Sequence, residues 1–282
     1  MNNEELRQRY NPDGSLLRRH QMRMLDILIE VDRICKKHDI KYWLSSGTLI
    51  GALRHNGFIP WDDDLDIEMM RSDYLRLMEV LPKELPDWLA LQCDQTDENY
   101  FYFYAKVRDR RSLLKETLNY NRLWKEQGIY IDIFPMEPHP IWLHKLTEKT
   151  VGHMYKIWRT STDDTKALRH VQRIFKLNNE FLFPCLRGIL AALSPLLLCK
   201  QSVLKGRAGR ERGRLITSGM GIPFHNPRYA DEIFPLTTHK FEGYDFPIPG
   251  NADAHLRHIF GDYMQLPDLS KQTPHVAELE FF

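Results

Sequence analysis

The chain has 282 residues, 43% of them hydrophobic and 27% charged, with 39 Lys and Arg against 38 Asp and Glu. That length can bury a sizeable core without covalent staples, and a net charge of only +1 argues against a general nucleic-acid binder, which would carry a marked basic excess. The cysteines Cys35, Cys93, Cys185 and Cys199 lack C-x-x-C spacing, so a zinc knuckle, a thioredoxin-like motif and a disulfide framework are not indicated. They are expected to be buried thiols in a reducing compartment.

The opening M-N-N-E-E-L-R-Q-R-Y has no apolar core of the signal-peptide kind, and a cytoplasmic location is expected. Leu17, Met24, Leu25, Leu28, Ile29 and Ile34 recur at helical spacing and predict an amphipathic scaffold helix from Leu16 to about His38. I-K-Y-W-L then enters a strand, Ser45-Ser46-Gly47-Thr48 turns, and T-L-I-G-A-L-R-H reads as a short helix. Gly47 permits close backbone approach and Thr48 can cap, so free N–H groups would favour an anion there. Taken alone, the turn is better explained as an ordinary capped helix.

From Asp62 the pattern becomes D-D-D-L-D-I-E-M, after the turn signal Asn56-Gly57 and Pro60. As a strand it puts Asp62, Asp64, Asp66 and Glu68 on one face and Leu65, Ile67 and Met69 in the core. So many aligned carboxylates repel one another unless a cation sits among them. A calcium loop fails on Ile67 where Gly is required and Asp73 where Glu is expected. A solvated acidic turn is the bland alternative. A helix starting near Ser72 is expected to stop before Pro82.

Asn99 to Arg108 alternates, with Phe101, Phe103, Ala105 and Val107 on a core face. Tyr100, Tyr102, Tyr104, Lys106 and Arg108 take the other, which lines either a cleft or an ordinary surface. Gly128 to Pro135 is an apolar, β-branched strand with one Asp, Asp132, whose burial needs compensation from a metal, a catalytic role or a structural partner.

From His139 to about Lys205 the chain turns helical, basic and aromatic. F-L-F-P-C-L-R-G-I-L-A-A-L-S-P-L-L-L-C is broken by Pro184, Arg187 and Pro195, too short a run for a membrane span, and is expected to be a buried helix pair. The alternative is peripheral membrane attachment through 181–214, where Lys200, Lys205, Arg207, Arg210, Arg212 and Arg214 would meet anionic lipid or phosphate. Beyond Leu215 come short extended pieces and a helix from about Asn251 to Phe260, with His255 and His258 expected on its surface. The expected organisation is a core over 1–138, a helical basic insertion over 139–214, and a C-terminal part over 215–282 packing back on the core.

Gly47-Thr48, Asp64-Leu65-Asp66-Ile67 and Ile131-Asp132-Ile133 form an ordered set similar to the nucleotidyltransferase-fold pattern. The fold expected is α/β (α+β), a mixed sheet flanked by helices. Two carboxylates one pleat apart can share Mg²⁺, and a third on a neighbouring strand can hold or deprotonate an attacking hydroxyl. The block S-G-T-L-I-G-A-L-R-H-N-G-F-I-P-W-D-D-D-L-D-I resembles the signature of the LicD family, the bacterial phosphocholine transferases, whose animal relatives are fukutin and fukutin-related protein. Y-F-Y-A-K-V-R-D, G-I-Y-I-D-I-F-P and F-G-D-Y-M-Q-L-P are similar to further family blocks, so the resemblance covers about residues 20 to 135 and 215 to 270.

The resemblance implies a metal-dependent transfer of phosphocholine, ribitol phosphate or a similar group from CDP-choline or another CDP-alcohol to a glycan or lipid-linked oligosaccharide, with release of CMP. It implies Asp64, Asp66 and Asp132 as catalytic carboxylates and ligands of Mg²⁺ or Mn²⁺. Ser46, Gly47 and Thr48 would contact the diphosphate, and Arg54, His55, Trp61 and Lys106 would surround donor and acceptor. Tyr102 or Tyr104 would join Trp61 in an aromatic box for choline. Two rival classes are a nucleotidyltransferase using an NTP and a non-catalytic glycan- or membrane-associated protein keeping the fold.

Overall fold

A computed structural model describes residues 2–116, 120–160, 165–193, 215–224, 226–268 and 276–282. Its central sheet is organised around β6 (Tyr130–Glu137), whose Ile131, Ile133 and Met136 are fully buried. β2 (Asp66–Met70) runs parallel along one edge of β6, and β4 (Ala105–Asp109) antiparallel along the other. β1 (Trp43–Leu44) extends the sheet beyond β2 and β3 (Leu89–Gln92) beyond β4, giving the order β1-β2-β6-β4-β3. β7 (Leu215–Ser218) pairs with Met136 and Glu137, and β8 (Arg228–Tyr229) pairs with β7. Two antiparallel pairs lie outside this sheet, β5 (Ser112–Glu116) with β11 (Val276–Phe281) and β9 (Thr237–Phe241) with β10 (Tyr244–Ile248).

Helices cover the sheet because their apolar stripes have nowhere else to go. α2 (Leu16–Lys37), whose first turn is capped by the Ser15 hydroxyl, buries Met24, Leu25, Leu28, Val31 and Ile34 in the main core. Each such side chain contributes about 1.5–3 kcal/mol, so α2 is a principal support of the sheet. α1 (Asn3–Tyr10) precedes it, closed by a capping box between Asn2 and Glu5 that the sequence reading passed over. α3 (Ser46–His55) and α4 (Arg71–Glu84) flank β2. α4 carries Pro82 inside its last turn rather than stopping before it.

α5 (Ile141–Thr160) and α6 (Thr165–Lys176) follow, and α6 runs on through a π turn, Leu177–Leu182, into α7 (183–193). These helices share a second core with residues 100–104, in which Phe101 and Tyr102 pack against Trp158 and Phe101 also meets Phe175. α8 (Ala230–Ile233) and α9 (Ala252–Phe260) complete the C-terminal part. Among the described residues no helix is long and apolar enough to cross a membrane.

Several expectations are corrected. The acidic block is a strand only from Asp66, where register with β6 begins; Asp62 to Leu65 precede it, tied to β6 by the bond from the Asp132 N–H to Leu65 O. The strand expected from Asn99 begins at Ala105, since β6 pairs with β4 only over Tyr130 to Ile133 and residues 100–104 turn off into the aromatic core. The expected buried helix pair leaves Phe181, Ile189 and Leu193 exposed, although Phe183 is fully buried. Cys35 and Cys93 are buried thiols, but Cys185 is exposed. His255, expected on a surface, is buried beside Glu232. Cys199 and the basic run Lys200 to Arg214 lie outside the described residues.

Candidate functional site

Asp66 and Asp132 are register partners on the adjacent parallel strands β2 and β6, and the Asp132 N–H donates to Leu65 O at 2.9 Å. β2 is short, so its start is fixed from both sides: the Asp66 N–H donates to the Thr48 hydroxyl at 2.9 Å, and Asp66 O accepts from the Ser45 N–H at 3.1 Å. Thr48 is buried and spends its hydroxyl on this bond rather than on capping α3. The turn and the acidic strand are therefore one unit.

Immediately ahead of β2, carboxylate oxygens of Asp62, Asp63 and Asp64 lie within 4.8 Å of one another. Gly47 lets Asp62 come close to α3, since a Cβ there would fall 2.6 Å from Asp62 Oδ2 and displace that carboxylate. Ser46 holds a left-handed φ of +48° at the start of α3, a conformation that costs a non-glycine residue of order 1–3 kcal/mol and concentrates at functional sites. The start of α3 has no side-chain cap hydrogen bond, and the first N–H groups of a helix have no partner within it.

The electrostatics follow from crowding. Burial, then the neighbouring charges of Asp132, Asp64 and Asp62, push the half-buried Asp66 carboxyl well above the usual range. Burial also raises Asp132, opposed by Lys106, and leaves it at about 6. Lys106, itself buried, sets its Nζ 2.5 Å from Asp132 Oδ1 and 3.4 Å above the Tyr130 ring. An ammonium is thus set beside Asp132, and an all-oxygen donor set of carboxylates is of the kind that suits a hard divalent cation.

Glu68, aligned with the acidic face in the sequence, leaves that set. It is buried, bonded by the Arg228 guanidinium and by the Trp43 indole N–H at 3.1 Å. Burial would raise its carboxyl, yet Arg228 outweighs that and holds it below its ordinary value.

The remaining expected residues divide. Arg54 donates to His55 Nε2 at 2.9 Å and to Tyr263 O at 2.6 Å, which ties α3 to the G-D-Y-M-Q-L-P block. His55 bonds Asn3 and lies edge-on to Trp61, which also meets Tyr10; burial and Arg54 depress its imidazole to about 4. Tyr102 and Tyr104 are stacked at 4.8 Å inside the second core, with Trp158 and Phe134 as neighbours. Trp61 packs on the first core, so the structure does not join it with these tyrosines in one aromatic box.

Two residues near the acids were missed. Gln21 of α2 donates to Asp62 O at 2.9 Å, and His20 is buried within the fields of Asp63 and Asp64, with burial lowering it to about 4. Their signal was available, because His20 precedes Met24 and Leu28 at four-residue spacing on the apolar face of α2.

A domain model described as LicD/FKTN/FKRP, nucleotidyltransferase domain, matches residues 39–187, and so runs into the helical segment. Over 269 residues the chain is 30% identical to the lipopolysaccharide cholinephosphotransferase LicD of Haemophilus influenzae, a match covering 92% of this chain and 95% of that protein. It is 45% identical over 60 residues to an uncharacterized protein of Rickettsia prowazekii, covering 21% and 23% of the two chains. It is 47% identical over 34 residues to the human ribitol 5-phosphate transferase FKRP, covering 12% and 7%.

Proposed function

The chain belongs to the LicD/FKTN/FKRP nucleotidyltransferase family, and on that premise we propose that it transfers phosphocholine, or a similar phospho-alcohol, from a CDP-linked donor to a glycan hydroxyl. The observation that carries this reading is the direct register of Asp66 with Asp132, with Asp64 two residues ahead of Asp66 in the segment leading into β2. In the reaction the acceptor oxygen bonds the phosphorus nearest the alcohol, the phosphorus–oxygen bond to CMP breaks in line, and CMP leaves with the electron pair.

Asp64, Asp66 and Asp132 would hold Mg²⁺ or Mn²⁺, with Asp62 and Asp63 grouped beside Asp64, and the ion would supply neutralisation of charge on the phosphate oxygens. The chain's own groups supply the rest. Asp132, with a carboxyl raised to about 6, is basic enough to take the hydroxyl proton at neutral pH. Lys106 holds its Oδ1, so Oδ2 is the oxygen that would take either the proton or the metal. The Ser46 and Gly47 N–H groups at the start of α3 would receive the diphosphate, and Arg54, His55 and Trp61 stand beyond them at the other end of that helix. Positioning and charge neutralisation of this kind carry most of the rate in phosphoryl transfer.

The alcohol has two readings. The LicD relative's name states choline, and Trp61 would cover such a cation. The withdrawal of Tyr102 and Tyr104 into the second core favours a polyol instead, ribitol or glycerol phosphate, and ribitol phosphate is what the FKRP relative's name states. A thermal-shift panel of CDP-choline, CDP-ribitol, CDP-glycerol and NTPs, each with Mg²⁺, tests the proposal. A donor at a hundred times its Kd stabilises by about 2.7 kcal/mol. Stabilisation by NTPs and by none of the CDP-alcohols would reject it in favour of NMP transfer.

A further inference from the structure

The helical segment carries a surface that the transfer reaction does not use. Leu177, Phe181, Cys185, Ile189 and Leu193 stand four residues apart and are all exposed, Leu177 at 61% and Phe181 at 62%. In a regular α-helix such a row drifts by about 40° at each four-residue step; the π turn over Leu177–Leu182, closed by the Phe183 N–H on Asn178 O, offsets that drift over its own span. The row is about 24 Å long at 1.5 Å per residue. Arg169 and Arg173, also exposed, lie two turns and one turn before Leu177 on α6.

α5 adds to this face. The Thr150 hydroxyl bonds Asn178 Oδ1 at 3.0 Å, which sets α5 against the α6–α7 rod in antiparallel register. One and two turns back from Thr150, on the same face of α5, come Leu146, 50% exposed, and Trp142, 66% exposed. An aromatic edge, an apolar stripe and cations on one helical surface are the elements of an interfacial membrane contact.

Charge decides the occupant. Residues 139–214 hold 15 Lys and Arg against 5 Asp and Glu, net +10, in a chain whose total is +1, which leaves the remainder at −9. A second copy of the chain would bring the same excess positive charge against itself across a self-complementary interface. We propose that the row from Leu177 to Leu193, with Trp142 and Leu146 beside it, lies in the headgroup region of an anionic bilayer, held without a spanning helix. This goes beyond the transfer reaction and depends on neither donor nor acceptor.

The test is co-sedimentation of the full chain with phosphatidylcholine vesicles, with and without phosphatidylglycerol, at low and high salt. Binding should require phosphatidylglycerol, weaken with salt, and fall about tenfold or more in Phe181→Ser/Ile189→Ser and in Arg169→Glu/Arg173→Glu. These side chains are exposed, so both variants should keep the wild-type melting temperature and monomeric elution. Equal binding to neutral vesicles, or undiminished binding by folded variants, overturns the proposal. A concentration-dependent dimer abolished by Phe181→Ser/Ile189→Ser overturns it in favour of a second copy.

Discussion

Replacing Lys106 by Met removes the cation from the carboxylate set while keeping most of the buried stem. Lys106 Nζ is 2.5 Å from Asp132 Oδ1 and both residues are buried. Breaking such a pair costs about 3–5 kcal/mol when the remaining charge has no other relief. Asp132 does have relief, because it can take a proton. Its folded pKa, already raised by burial to about 6 with Lys106 opposing, must climb further in the variant. A raised carboxyl makes the folded state the stronger proton binder, so stability falls as pH rises from the ordinary carboxylate range through the folded pKa. The Lys106→Met penalty should therefore be small near pH 5 and grow between pH 6 and 8, at about 1.4 kcal/mol for each unit the folded pKa climbs. Two units give about 3 kcal/mol, or about 6–12 °C in melting temperature for a chain of this size. Thermal melts of the metal-free wild type, Lys106→Met and Lys106→Met/Asp132→Asn at pH 5, 6.5 and 8 measure it, and the double variant should recover most of the loss at pH 8. A penalty equal at all three pH values, or no recovery, would refute the electrostatic reading.

Asp66→Asn should raise the metal-free melting temperature by several degrees, since it removes a charge that burial and Asp132 disfavour. In calorimetry with Mg²⁺ it should lose the wild-type heat of binding. Gly47→Ala puts a Cβ 2.6 Å from Asp62 Oδ2; because only a side-chain end must move, stability should change by less than about 1 kcal/mol while turnover drops. Unchanged turnover would remove Gly47 and Asp62 from the site. Arg228→Met leaves Glu68 buried without its cation and should cost about 3–5 kcal/mol at neutral pH. Glu68 is held below its ordinary value, so this contribution is present above pH 4.5 and shrinks as pH falls through the folded pKa; denaturant melts at pH 7 and pH 4 compare the two.

Asp64 and Asp66 stood out in the sequence because carboxylates between apolar residues are costly without a reason, although the strand expected to align them begins only at Asp66. The lone Asp132 inside I-Y-I-D-I-F was legible on the same ground. Glu68 was misread because its partner Arg228 lies 160 residues later in the chain, and no local pattern reports that distance. Tyr102 and Tyr104 were misplaced because alternation assigns faces but cannot say which face a later helix will cover; here Tyr155 and Trp158 of α5 do so. Thr48 was read as a cap because its spacing suits one, whereas the exposed start of β2 offered its hydroxyl a stronger claim in the Asp66 N–H. His20 and Gln21 were absorbed into the apolar stripe of α2, where polar residues on a buried face were the overlooked signal.

The central claim is that Asp66 and Asp132 together carry phospho-alcohol transfer. Chromatographic measurement of CMP released from CDP-choline and CDP-ribitol, with Mg²⁺ and a lipopolysaccharide or oligosaccharide acceptor, tests it most directly. The wild type should release CMP from one of these donors in step with acceptor modification, and Asp66→Asn and Asp132→Asn should each lower the rate by about 10²–10³-fold or more while remaining folded. Undiminished CMP release by either folded variant would contradict the account.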